Sequence, residues 1–121
     1  MGLFKTKVRV GVLRDAGPVF TEEVSLLVDT GATYSTIPSA VLKRAGVNPI
    51  GKLPIRLADG SIVEKTYGGA ALEVQGRVVF GNVLFGDEGD LALLGVTSLE
   101  LGSLAVDPVG RRLVSATSIQ A

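Results

Sequence analysis

The sequence predicts a mostly β domain of many short strands with one or two short helices. Apolar and polar residues alternate through several segments, which is the period of half-buried strands. The 16 glycines supply frequent turns, and aromatic residues make up only 5% of the chain, so the core must be built from Val, Leu, Ile and Ala. A length of 121 residues is normal for one domain, so we expect residues 1–121 to form a single domain.

The N-terminal part of the chain predicts two strands joined by a turn. Residues 5–13 (KTKVRVGVL) alternate between polar and apolar side chains. The alternation places three valines on one face of this strand: Val8, Val10 and Val12. The composition of residues 14–18 (RDAGP) indicates a turn, and residues 19–29 then return as a second strand.

A short helix is expected after the second strand. Residues 38–46 (PSAVLKRAG) place apolar side chains at helical spacing. Ser39 is the candidate N-terminal cap of this helix, and Gly46 is expected to end it.

The second half of the chain predicts hairpins and one more short helix. Asp-Gly in ADGS (58–61) lies between strand-forming segments, which is a strong hairpin signal. The GDEGD segment (86–90) indicates a solvated turn, because its spacing does not match a calcium loop. A short helix is expected over 97–101, and a turn at DPVG (107–110) predicts a last hairpin.

The absence of Cys and His narrows the chemistry that this chain can perform. It excludes disulfides, the common zinc ligand sets, cysteine nucleophiles and Ser-His-Asp triads. Acid–base chemistry near neutral pH must therefore use carboxylates, lysine or tyrosine. We expect no metal ion and no cofactor.

The charge pattern argues against two classes of partner. Lys plus Arg and Asp plus Glu each number 12, so there is no net field to hold nucleic acid or an anionic membrane. No apolar run reaches the length of a membrane span, and the first ten residues do not resemble a signal peptide. We expect a soluble, cytoplasmic protein that binds neither nucleic acid nor membranes.

One loop carries the most informative motif of the sequence. In LLVDTGATYSTIP (26–38), Asp29 directly follows an apolar strand, where an unpaired charge is costly. Gly31 allows a sharp turn and leaves room for a substrate backbone, while the Thr30 hydroxyl can fix the loop. Two facing carboxylates share a proton, so that one activates a water while the other protonates a carbonyl oxygen. A turn-capping role is the alternative interpretation of Asp29.

The loop at 26–38, the ADGS hairpin at 58–61 and LLG at 93–95 together resemble the retropepsin-like aspartic proteases. The likeness is greatest to small single-domain bacterial and archaeal members, and it extends in the family's order from about Val8 to Leu113. This family is the standard example of carboxylates that share one proton. The resemblance implies a closed or partly closed acid-protease barrel and an aspartic endopeptidase that hydrolyses peptide bonds.

The resemblance also implies roles for individual residues. Asp29 would be the catalytic acid, Thr30 would lock two loops together across a dimer axis, and Gly31 would offer its carbonyl to the substrate. ADGS would form the tip of a flap over the substrate, and Gly95 would pack against the Asp29 loop. The residues expected to bind substrate are Ala32, Thr33, Ala58, Asp59, Gly60, Ser61, Leu91 and Leu93.

The chain contains a single Asp-Thr-Gly, so a second catalytic carboxylate must come from another copy. The resemblance therefore implies a homodimer with two-fold symmetry that acts on a peptide or protein substrate. Thr33 and Val96 stand where viral retropepsins carry an Asp and an Arg, so their ion-pair bracing between subunits is absent here. The dimer would then be weaker or held differently.

Two other functions fit the same sequence. A catalytically inactive member of the fold would be a dimeric module for peptide binding or scaffolding, because fold does not dictate function. A plain β-barrel interaction domain, unrelated to proteases, would place two Asp29 side chains far apart.

Overall fold

The computed structural model describes residues 3–117 and 120, and it confirms the mostly β class. In chain order the strands are β1 (Lys5–Arg14), β2 (Gly17–Val28), β3 (Ser35–Pro38), β4 (Gly51–Arg56), β5 (Ile62–Val74), β6 (Arg77–Gly86), β7 (Leu93–Leu94), β8 (Leu104–Asp107) and β9 (Arg112–Ser115). The helices are α1 (Ser39–Ala45) and α2 (Val96–Leu101). In the part of the chain described, no helix combines the length and apolar character of a membrane span.

The main sheet curls into a partly closed ring. Among the described residues it has seven strands in the order β1-β2-β7-β3-β6-β5-β4. Strand β1, at one edge of the sheet, also pairs with β5, which lies next to the other edge strand, β4. Strands β8 and β9 form a separate hairpin. The predicted partly closed barrel is therefore confirmed, and the extra pairing satisfies backbone groups that an open edge would expose.

A bulge in β1 allows this strand to serve two neighbours. Val8 and Val10 are fully buried, as the alternation predicted, and the register with β2 shifts between Val10 and Gly11. A Cβ built on Gly11 would lie 1.8 Å from the carbonyl oxygen of Val19, so only glycine fits there. Bulges bend a strand and increase its twist, and this one lies where β1 reaches across to β5.

Helix α1 ends as predicted but begins differently. Gly46 adopts a left-handed conformation with φ of 89°, which stops the helix after Ala45. The predicted capping role of Ser39 is wrong, because Pro38 is the N-terminal cap position and no side chain caps the helix. Ser39 Oγ instead donates a hydrogen bond to the carbonyl of Gly86 at 2.9 Å. Strand β3 runs directly into the helix, so Ser39 already lies beside the end of β6.

Strand β3 was not predicted, and it connects the Asp29 loop to α1. It pairs in parallel with β6, with Ser35 opposite Val83, and it meets β7 where Thr36 lies opposite Leu93. Four residues that end in proline give no strand signal on their own. The strand forms because it has neighbours on both sides.

Aliphatic side chains dominate the core, as the composition requires. The largest fully buried apolar side chains are Leu26, Ile37, Leu42, Leu72, Leu94, Val8, Val10, Val74 and Val83. They come from the inner faces of the curled sheet and from α1, which covers β1 and β2.

Truncation of Leu42 tests this core away from the Asp29 loop. Leu42 is fully buried in α1, so Leu42→Ala is expected to lower the free energy of unfolding by about 2–5 kcal/mol. Urea denaturation measures the change. Leu13→Ala, which removes a leucine that is 47% exposed, is the matched control and is expected to cost far less. Equal losses in both variants would contradict the assignment of Leu42 to the core.

Candidate active site

The fold places Asp29 at the end of two paired parallel strands. β2 pairs with β7, with Leu27 opposite Leu93 and Val28 opposite Leu94. The Asp29 amide then donates to the carbonyl of Leu94 at 3.0 Å, which extends the pairing by one residue. Asp29 is partly buried in the single chain. A rigid sheet therefore fixes the backbone of this carboxylate.

Within the loop, the carboxylate is held by one backbone amide. The Gly31 N–H donates to Asp29 Oδ1 at 2.9 Å, and the Ala32 N–H donates to the Asp29 carbonyl at 3.2 Å. A Cβ on Gly31 would lie 3.2 Å from Asp29 Oδ1, so a side chain there would crowd the carboxylate. Asp29 Oδ2 receives no hydrogen bond from the described residues 3–117. One oxygen is thus fixed and the other is open to a water or a substrate.

The start of α2 fastens the rest of the loop. The amides of Val96 and Thr97 donate to the carbonyls of Ala32 and Thr33 at 2.8 and 3.0 Å. Thr97 Oγ1 adds a second hydrogen bond to the Thr33 carbonyl at 2.8 Å. These contacts use amides that a helix N-terminus would otherwise leave unpaired. Two segments more than sixty residues apart form one rigid unit.

A close approach of two backbones explains Gly95. A Cβ on Gly95 would lie 2.5 Å from the carbonyl carbon of Tyr34 and 2.9 Å from the amide nitrogen of Ser35. The expected packing of Gly95 against the Asp29 loop is confirmed. The Gly95 amide donates to Ser35 Oγ at 2.9 Å, and Ser35 Oγ lies 2.6 Å from Ser98 Oγ. No local pattern in the sequence predicts this buried serine pair.

A groove with a volume of about 740 Å³ lies beside Asp29. Its wall is mainly apolar and includes a few charged groups. The residues that line it are Asp29, Gly31, Ala32, Thr33, Tyr34, Thr36, Pro54, Ile55, Arg56, Leu57, Ala58, Lys65, Leu84, Gly89, Asp90, Leu91 and Leu93. Such a cleft has the size and composition of a ligand-binding site.

The groove brings together most of the residues that the sequence marked as a site. Those that line it are Asp29, Gly31, Ala32, Thr33, Ala58, Leu91 and Leu93. Four others lie outside its lining: Thr30, Asp59, Gly60 and Ser61. The role expected for Thr30 is a contact across a dimer axis, and the other three are expected to form the tip of a flap. Their roles stay predictions.

The ADGS hairpin forms as expected and closes on itself. The Leu57 amide donates to the Ser61 carbonyl at 2.8 Å, and Gly60 has a φ of 88°. Asp59 Oδ1 accepts hydrogen bonds from the Ser61 hydroxyl at 2.6 Å and from its amide at 2.9 Å. These two bonds lower the pKa of Asp59. The tip of this hairpin is exposed.

An ion cluster that the sequence did not predict lies in the groove wall. Lys65 Nζ lies 2.7 Å from Asp90 Oδ2 and 3.3 Å from Asp87 Oδ2. The hydrogen bond from Lys65, followed by that from the Asp87 amide, lowers the pKa of Asp90. The hydrogen bond to Asp90 in turn raises the pKa of Lys65. The interpretation of 86–90 as merely a solvated turn was incomplete, because two of its carboxylates hold a lysine from β5.

Comparisons with known proteins identify a family and a fold. Residues 19–101 match the model of the family described as "gag-polyprotein putative aspartyl protease". A search of curated proteins gives no significant match.

Three solved structures of viral proteins that contain a protease are similar in fold to this chain. EIAV protease in complex with the inhibitor HBY-793 has a TM-score of 0.57 at 22% identity, over 93% of each chain. Simian foamy virus (mac) protease has a TM-score of 0.54 at 22% identity, over 80% of this chain and 92% of that one. A foamy viral protease–reverse transcriptase bound to an RNA/DNA hybrid has a TM-score of 0.53 at 23% identity, over 79% and 12%. At these identities the likeness shows the fold.

Proposed function

Because the chain belongs to this aspartyl protease family and has the retropepsin fold, we propose that it is an aspartic endopeptidase that acts as a homodimer. A single domain over residues 1–121 would form each half of the enzyme. The observation that carries the proposal is Asp29 itself, which is held at the end of β2 beside a groove of about 740 Å³. One of its oxygens is fixed by the Gly31 amide and the other is open.

The groove of one chain supplies a single available carboxylate. Asp29 and Asp90 are the carboxylates among its lining residues in the part of the chain described. Asp90 already accepts hydrogen bonds from Lys65 and from the Asp87 amide. The partner of Asp29 would therefore be Asp29 of a second copy, across a two-fold axis. Thr30, exposed next to it, would meet its own copy at the same axis.

The proposed reaction needs only this pair and a water. Two facing carboxylates share one proton, so one is ionised and one is neutral. The ionised carboxylate takes a proton from the water, whose oxygen attacks the carbonyl carbon of the peptide bond. The neutral carboxyl gives its proton to the carbonyl oxygen, which forms a tetrahedral diol. Cleavage of the C–N bond then returns one hydroxyl proton to the pair and delivers one proton to the leaving nitrogen.

The groove wall indicates the kind of peptide that would fit. Apolar side chains dominate it: Ile55, Leu57, Leu84, Leu91 and Leu93. We propose that the substrate is an extended peptide or protein segment with apolar side chains near the cut bond, because burial of such side chains supplies most of the binding energy. The hairpin at 58–61 would close over it as a flap.

Incubation with a diverse peptide mixture, from acidic to neutral pH and with mass spectrometry as the readout, tests the activity. The wild type is expected to cut a consistent set of bonds, and Asp29→Asn is expected to cut none. Asp15→Asn, which removes the same charge from the exposed turn between β1 and β2, should cut as the wild type does. A wild type that binds peptides without cutting them would contradict the proposal and favour an inactive peptide-binding module.

A further inference from the structure

Lys65 lies at an unusual place for a surface lysine. It belongs to β5, the strand that leaves the flap hairpin, and its side chain is only 18% exposed. Its ammonium contacts Asp90 and Asp87, which are 25 and 22 residues further along the chain. Both Lys65 and Asp90 line the groove. This ion pair therefore connects the base of the flap to the loop that follows the neighbouring strand β6 in the groove wall.

The loop that receives Lys65 is organised by the same carboxylate. Asp90 Oδ2 accepts the Asp87 amide at 2.8 Å, and the Asp90 amide donates to the Asp87 carbonyl at 3.0 Å. Leu91 follows immediately, is 68% exposed and lines the groove. Asp90 therefore closes the loop, holds Lys65 and fixes the start of the segment that presents Leu91.

The pair also removes charge from the groove wall. Lys65 and Asp90 carry opposite charges 2.7 Å apart, so together they add no net charge beside Leu91. Asp87 is 77% exposed and lies outside the groove lining. Without Lys65, the carboxylate of Asp90 would have no counter-ion beside an apolar surface. It would then favour the binding of basic side chains of a ligand.

We propose that Lys65 is a positioning residue for substrate binding. Through its ion pair it ties flap strand β5 to the loop over residues 87–91. It also cancels the charge of Asp90, so that Leu91 forms an apolar wall of the groove. The substrate part of this inference rests on the proposed function. The tie between β5 and the loop is a property of the chain alone and is tested without substrate.

The pKa shifts define the pH range of the tie. The pKa of Asp90 is lowered below 3.8. The stability that its ionised form contributes is therefore present above pH 3.8 and is lost as the pH falls through the lowered pKa. The pKa of Lys65 is raised above 10.5. The stability that its charged form contributes is therefore present below pH 10.5 and is lost only as the pH rises through the raised pKa. Both groups are therefore mainly ionised between pH 3.8 and pH 10.5.

Hydrogen exchange in the absence of substrate tests the tie. In Lys65→Met, amides of residues 57–63 and 87–91 are expected to exchange about 3- to 10-fold faster than in the wild type, because partly buried ion pairs contribute on this scale. Lys65→Arg should restore most of the protection. Lys52→Met, on the neighbouring strand β4 and exposed, is the matched control and should exchange as the wild type does. Unchanged exchange in Lys65→Met would overturn the tie.

Cleavage of peptide pairs tests the effect on specificity. The peptides differ by Leu or Lys at each position next to the cut bond, and kcat and KM are measured separately. In Lys65→Met, the ratio of kcat/KM for the Lys peptide over the Leu peptide is expected to rise about 3- to 10-fold at one position, mainly through KM. Asp90→Asn, which keeps an oxygen for the Asp87 amide, should not show this rise. An unchanged ratio in Lys65→Met would overturn the specificity role.

The two sets of measurements separate the two proposals. Faster exchange in Lys65→Met together with no cleavage by the wild type would support the tie and overturn the proposed protease activity. Cleavage by the wild type together with unchanged exchange and an unchanged ratio would support the protease and overturn the role of Lys65.

Discussion

Activity in a mixture of wild type and Asp29→Asn is expected to fall with the square of the wild-type fraction. If each active site needs one Asp29 from each of two copies, a dimer with one Asn lacks half of the pair. In an equal mixture, after the subunits have exchanged, about a quarter of the dimers keep both carboxylates. The measurement is the initial rate of peptide cleavage at constant total protein, after incubation of the mixture at a low concentration that permits exchange.

Pure Asp29→Asn is expected to lose at least about 10³-fold in kcat, because the amide can neither take a proton from water nor share one. Its fold should survive, since an Asn oxygen can still accept the Gly31 amide that Asp29 Oδ1 accepts. Circular dichroism and thermal unfolding check this. Asp15→Asn is the charge-matched control. It should keep the kcat and the thermal stability of the wild type, and activity should not fall when it is mixed with the wild type. A linear fall of activity with the fraction of Asp29→Asn would mean that each chain works alone, contrary to the proposed dimer.

Gly95→Ala is expected to damage both the stability and the activity of the protein. The added methyl would lie 2.5 Å from the carbonyl carbon of Tyr34, 2.6 Å from its oxygen and 2.9 Å from the Ser35 nitrogen. These are backbone atoms, so no side-chain rotation relieves the contact and the two segments must move apart. Overpacking of this kind costs about 1–3 kcal/mol, and occasionally more. Denaturant unfolding measures the free energy.

The same movement would disturb the position of Asp29, because the Asp29 amide bonds to Leu94, the residue before Gly95. We therefore expect kcat to fall even at temperatures where Gly95→Ala is fully folded. Gly51→Ala is the matched control, since its methyl would meet only the ring of Tyr67 at 3.4 Å, an ordinary contact. A Gly95→Ala protein with wild-type stability and kcat would show that this close approach is not needed for the site.

Local signals in the sequence located the elements that a few adjacent residues determine. The left-handed glycine Gly46 and the Asp-Gly hairpin at 58–61 are features of this kind, and both were predicted. Strand β3 and the cap of α1 were not, because they depend on neighbours far along the chain. The wrong role of Ser39 has the same origin, since its actual partner is Gly86, 47 residues away.

The candidate site likewise contains some features that a local sequence pattern predicts and others that depend on distant residues. The Asp29 loop was visible because its strand, carboxylate and glycine are contiguous. The Lys65–Asp90 pair and the Ser35–Ser98 pair join positions 25 and 63 residues apart, and no local pattern reports such contacts. Thr30 has its expected partner on another copy, so the arrangement of one chain leaves that role a prediction.

The hydrogen bonds between the Asp29 loop and the start of α2 have a consequence for biosynthesis. Asp29 leaves the ribosome more than sixty residues before Val96 and Thr97, whose amides hold its loop. Contacts between such distant positions form late, because the intervening chain must first be ordered. A nascent chain that has reached only β6 therefore carries the carboxylate in a loop that these amides do not yet hold. The arrangement of the Asp29 loop is therefore completed only after α2 has been made and has packed, and the activity of the proposed dimer would begin only then.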